Sequence, residues 1–95
     1  MTKNTILEFL RENRTFLSEQ FNVKKIGLFG SFSKGTQKED SDIDIIVDMP
    51  SSFDKYYDLK EYLEMNLNSK IDLGLENSIR KLIKKKIENE IIYAY

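Results

Sequence analysis

Residues 42–47 read Asp-Ile-Asp-Ile-Ile-Val, two carboxylates one residue apart at the head of an apolar run. The run predicts a buried strand, and on a strand residues i and i+2 face the same side. Asp42 and Asp44 therefore point together, about 7 Å apart along the strand. Ile43, Ile45 and Val47 point the other way and can pack under a helix. Two ionised carboxylates side by side repel, so one takes up a proton or a cation holds both. The chain must bury one face of this strand and leave the other open at its start.

Two further features bear on the acids. Asp72 lies in "KIDLGLE" (70–76), where Ile71, Leu73 and Leu75 alternate against Asp72 and Gly74, a third-strand pattern. If that strand neighbours the 42–49 strand, Asp42, Asp44 and Asp72 converge on one face, the donor set of a phosphoryl-transfer site built on two metal ions. Upstream, Gly30-Ser31 follows the apolar "VKKIGLF" (23–29). Glycine lets the backbone approach a phosphate. A helical turn begun at Ser31 would offer free N–H groups to an anion, and the Lys34 ammonium adds a point charge for a triphosphate. The chain has no Cys and no His. Thiol nucleophiles, Ser-His-Asp triads and Cys or His zinc sites are therefore excluded. Any metal must be held through oxygen, which favours Mg²⁺, Mn²⁺ or Ca²⁺.

Each feature has a plainer reading when taken alone. A D-x-D at a strand start can be the polar side of an edge strand, and Gly-Ser after a strand can be only a turn. Asp72 can be a solvent-facing strand residue. The weight lies in their combination.

The remaining pattern sets the architecture. Apolar residues from Ile6 to Phe21 recur at helical spacing and predict one amphipathic helix over 3–20. Strands are expected at 23–29, 42–49 and 70–76, with a short helical turn after Ser31 ended by Gly35. Residues 53–68 predict a helix with Tyr56, Leu59, Leu63 and Leu67 inward. Asn77 or Ser78 can cap a last helix carrying Ile79, Ile83, Ile87, Ile91 and Tyr95 on one stripe. The order is α-β-α-β-α-β-α. This is an α/β (α+β) class with a small mixed three-stranded sheet and helices packed on it, one domain over 1–95.

At this point the sequence resembles a known family. "GSFSKGTQKEDSDID" (30–44) matches the G-S-x10-D-x-D signature of the DNA polymerase beta-type nucleotidyltransferase superfamily. The "SDIDIIV" wording and the later "IDLGLE" look like its minimal nucleotidyltransferase group. The resemblance implies the nucleotidyltransferase fold. It implies Gly30 and Ser31, with Lys34 less securely, as the nucleotide-binding residues. It implies Asp42, Asp44 and Asp72 as catalytic residues that also bind metal, two Mg²⁺ ions or Mn²⁺ in their place. Many members of the group are antitoxins of HEPN-domain ribonuclease toxins. The resemblance therefore implies transfer of AMP from ATP to a tyrosine of such a toxin, in a hetero-oligomer. A non-catalytic antitoxin acting by binding, and nucleotidyl transfer to a small molecule or RNA, are the alternatives.

Size and charge refine this expectation. With 95 residues there is little room for a separate acceptor-binding domain, so the acceptor site is expected from a partner or a second copy of this chain. The net charge of −1 gives no global case for nucleic-acid binding. No signal peptide and no membrane-length apolar run is seen, which points to a cytoplasmic protein. Ile91, Ile92, Tyr93 and Tyr95 form an apolar tail that either docks a partner or packs on its own sheet. Phe53, Tyr56 and Tyr57 are expected in the core, with lining of the nucleotide pocket as the alternative. The basic cluster Arg80, Lys81 and Lys84–Lys86 is expected on a solvated face, with an acidic partner surface or toxin-bound RNA as the alternative.

Overall fold

The computed structural model describes residues 1–79 and 85–95. Two helices open the chain, α1 (Lys3–Glu12) and α2 (Arg14–Phe21), where one was expected. Asn13 causes the break. Its side-chain amide donates to the Phe9 carbonyl at 2.8 Å, a local bond that competes with helix propagation. Its Oδ1 accepts from Tyr62 at 3.0 Å, which ties the break to a later helix. Strand β1 (Lys25–Phe29) follows, then the short helix α3 (Gly30–Lys34), β2 (Ile43–Asp48), α4 (Phe53–Leu67) and β3 (Ile71–Leu75). Thr2 and Ser52 cap α1 and α4 through their hydroxyls.

The sheet has four strands in the order β3-β2-β1-β4, one more than the sequence pattern suggested. The added strand is β4 (Ile92–Tyr93). It pairs antiparallel with β1, matching Gly27 to Tyr93 and Leu28 to Ile92. The apolar tail thus packs on its own sheet, and Ala94 is buried. The expected last helix does not carry its stripe through. Residues 76–78 form a 3-10 turn, Ile79 is extended, and Ile91 to Tyr95 lie outside any helix. Ile83 falls outside the described residues, as do Arg80, Lys81 and Lys84, while Lys85 and Lys86 are exposed.

Register sorts the sheet residues by face. β1 and β2 are antiparallel, β2 and β3 parallel. One face carries the rows Ile26–Val47–Leu75 and Leu28–Ile45–Leu73, with Ile43 beside Ile71. Helices α1, α2 and α4 cover it with Ile6, Leu10, Leu17, Leu59 and Leu63, all fully buried. The other face carries the rows Gly27–Ile46–Gly74 and Phe29–Asp44–Asp72. Helix α4 leaves Phe53 and Tyr57 in solvent, 76% and 50% exposed, so the core expectation fails for both. Tyr56 alone of the three packs against the core. Its hydroxyl donates to the Leu73 carbonyl, and Glu64 accepts from the Ile71 N–H at 3.3 Å. These two α4 side chains occupy backbone groups of the outer strand β3, a protection against edge pairing.

Gly27 lets the C-terminal segment lie close to the sheet. A Cβ there would stand 3.0 Å from Ile91 Cγ2, 3.0 Å from Tyr93 Cδ1 and 3.2 Å from the Ile92 carbonyl oxygen. For Gly27→Ala the two side chains and the Ile92 carbonyl must give by a few tenths of an ångström, and overpacking of this kind costs about 1–3 kcal/mol. The urea midpoint is expected to fall accordingly, with an unchanged m-value.

Candidate active site

The acid row sits where β1 ends and β2 and β3 begin. Asp44 is matched in register to Phe29 on one side and Asp72 on the other. The parallel pairing of β2 and β3 makes this happen, because it starts both strands at the same end of the sheet. Asp42 precedes β2 by one residue and is exposed, as is Asp72, while Asp44 is half-buried.

The turn after β1 closes over Asp44. Gly30 has φ +73°, and a Cβ there would stand 2.1 Å from Asp44 Oδ2. Only glycine fits that contact and that backbone. Ser31 and Lys34 follow within α3, and Gly35 ends it in the left-handed conformation, as expected. The Ser31 carbonyl accepts from Thr36 N–H at 2.9 Å, which closes the turn.

The electrostatics centre on Asp44. Its pKa is raised from 3.8 to about 6, first by burial, then by the charge of Asp72 and a hydrogen bond with it, then by Asp42 and Glu90. Burial and the neighbouring carboxylates thus disfavour the charged form of Asp44, so it takes up a proton at higher pH than an ordinary aspartate. Among the described residues no group of three or more acids forms a ready-made metal-ligand set. The structure brings Asp44 and Asp72 together and leaves Asp42 at the margin.

Glu90 is the site residue that sequence reasoning missed. It lies in the C-terminal segment, where its side chain is 20% exposed and faces Lys34 at 3.2 Å. Nothing in the sequence pattern marks it, since the expected helix gave residue 90 no place beside the acids.

The Asp44 shift fixes a pH dependence for metal-free protein. An acid whose folded pKa is raised binds more protons folded than unfolded. Its contribution is fully present below 3.8 and is lost as pH rises through about 6. Wild-type stability should therefore fall across this window relative to Asp44→Asn. The variant should be the more stable at pH 7, as read from urea midpoints measured at a series of pH values.

Comparison with known proteins bears on this arrangement. The nucleotidyltransferase domain family matches residues 10–94. A Methanocaldococcus jannaschii relative is 43% identical over an alignment of 98 residues, covering 98% of each chain. The protein adenylyltransferase MntA of Thermococcus cleftensis is 39% identical over 96 residues, covering 99% of this chain and 97% of its own. Among solved structures, a chain of a toxin–antitoxin complex with AMP-PNP superposes at TM-score 0.72 and 28% identity. It covers 100% of this chain and 73% of that one. Because the family match takes in every strand of the sheet, and not the motif alone, this chain belongs to the nucleotidyltransferase domain family.

Proposed function

We propose that this protein is a protein adenylyltransferase acting as the antitoxin of a HEPN-type ribonuclease toxin, and that it transfers AMP from ATP to a tyrosine of that toxin. The observation that carries the reading is the in-register pair Asp44–Asp72, seated against Gly30. The likeness to MntA of Thermococcus cleftensis and to a toxin–antitoxin chain with AMP-PNP supports the donor and the acceptor class. No helix among the described residues is long and apolar enough to cross a membrane, and the working compartment proposed is the cytoplasm.

The residues fit a divalent cation. The crowding that raises Asp44 is relieved when a cation stands between the carboxylates. Magnesium is commonly bound by one or two carboxylates together with substrate phosphates. Asp44 and Asp72 would hold it, with Asp42 drawn in from the strand start. Bound there, Mg²⁺ or Mn²⁺ would polarise the α-phosphate and neutralise the departing pyrophosphate.

The chain's own groups then divide the work. Gly30 and Ser31 bring backbone N–H groups and a hydroxyl to the phosphates, and Lys34 adds a cation at the end of α3. Asp72, exposed at the mouth of the site, accepts the proton of the attacking tyrosine hydroxyl. The tyrosine oxygen bonds to the α-phosphorus in line with the leaving oxygen. The bond from the α-phosphorus to the bridging oxygen breaks, and pyrophosphate departs. Positioning supplies much of the acceleration, because Asp44 and Asp72 are fixed by strand register.

The test uses ATP labelled at the α-phosphate, Mg²⁺ and the toxin. Label is expected on the toxin, with a tyrosine gaining one AMP by mass spectrometry. Asp42→Ala, Asp44→Ala and Asp72→Ala should each lower the rate by about 100-fold or more. If the Asp42→Ala, Asp44→Ala double variant still neutralises the toxin fully, the chain acts by binding alone. Label on RNA or a small molecule, with none on protein, would move the reading to a different acceptor.

A further inference from the structure

The site contains a contact that the reaction above leaves unused. Lys34 Nζ stands 3.2 Å from Glu90 Oε2, with the lysine side chain 57% exposed and the glutamate 20%. Among the described residues Glu90 Oε2 has no hydrogen-bond partner, although it is shielded from solvent. The ammonium therefore meets it as a charge, without the alignment of a hydrogen bond. One residue earlier on α3, the buried Ser33 donates its hydroxyl to the Glu90 carbonyl. Glu90 is thus fastened to the phosphate-binding turn through its backbone, while its carboxylate holds Lys34 loosely.

We propose that Glu90 is a positioning residue that withholds Lys34 from the triphosphate, so that a nucleotide must take Lys34 from Glu90 in order to bind. This rests on the nucleotidyl-transfer reading. Lys34 ends α3, which begins at the Gly30 turn, and a lysine ammonium on its four-carbon stem can swing between partners. When it leaves, a carboxylate oxygen shut off from water loses its counter-charge, and that cost falls on nucleotide binding. Glu90 also bears on Asp44 with like charge. Lys34 thus neutralises, in the empty site, an acid that would add to the negative field a triphosphate has to enter.

The experiment is a double-mutant cycle on the Kd for AMP-PNP with Mg²⁺, read by titration calorimetry without acceptor. Lys34→Ala is expected to weaken binding. Glu90→Gln is expected to tighten it about two- to fivefold, the scale of a partly exposed ion pair. In the Lys34→Ala background the gain from Glu90→Gln should shrink to the smaller effect of removing one negative charge, because the part that runs through the lysine is gone. Glu90→Asp keeps the charge but shortens the reach, and it should also tighten binding in the wild-type background alone. An equal gain from Glu90→Gln in both backgrounds overturns the inference, since Glu90 would then act by its charge only. So does an unchanged Kd for Lys34→Ala, because the lysine would then not reach the nucleotide. A wild type that binds no AMP-PNP overturns the proposed function and this inference together, an outcome distinct from a normal Kd with a flat cycle.

Discussion

The contact between Asp44 and Gly30 is the constraint on which the rest of the site depends. The carboxylate lies where a side chain on residue 30 would have to be, and the turn carries a positive φ that suits glycine. That closeness removes water from Asp44 on one side. The parallel register places Asp72 on the other. Crowded between the two, Asp44 gives up its charge more readily than an ordinary aspartate. The site is electrostatically unfinished by construction, and it is held so by backbone geometry and strand pairing, two features with little freedom to relax.

The same sheet separates stability from chemistry by face. The Ile, Leu and Val rows, together with the α1, α2 and α4 side chains that cover them, make up most of the apolar core. On the reverse face the row Gly27–Ile46–Gly74 lies next to the acid row, two residues further from the strand ends that carry the acids. Its small residues at the flanks let the C-terminal segment settle close, with Ile91 and Tyr93 over Gly27 and Ile79 over Gly74. Tyr93 reaches across to Glu76 with its hydroxyl, at 3.3 Å. The segment so seated delivers Glu90 to α3. A packing device in one row therefore determines which charge stands beside the next.

Much of this was legible in the sequence, for a definite reason. The strand period of two put Asp42 and Asp44 together and opposed them to Ile43, Ile45 and Val47, and burial follows that alternation. The Gly30 turn, the short α3 and the Gly35 stop were readable because glycines mark positions where φ is positive. Three things were not readable from the apolar spacing, because other contacts override it. Asn13 breaks the first helix with a side-chain bond to Phe9, while the apolar spacing runs on past it. The row Ile79, Ile83, Ile87, Ile91 suggests a continuous helix. Yet Ile92 and Tyr93 pair with β1, and two β residues with a free edge beside them outweigh a helical period. Phe53 and Tyr57 are apolar by composition, but α4 turns Leu59 and Leu63 inward and leaves those rings on its outer side.

Charge at the site also orders the events that lead to reaction. Asp42, Asp72 and Glu90 crowd Asp44, and Lys34 is already paired with Glu90. A bare triphosphate brought to this corner would meet carboxylates, with Lys34 already engaged by Glu90, and like-charge repulsion would oppose its entry. A triphosphate that arrives carrying a divalent cation meets the opposite situation. The cation's positive charge would offset the crowding that raises Asp44, and the proposed role of Lys34 would take it from Glu90 to the phosphates. On the proposed reading the empty site therefore excludes the uncomplexed nucleotide and admits the complexed one. That selectivity arises from crowding acids at one strand end, and no further binding domain is needed to produce it.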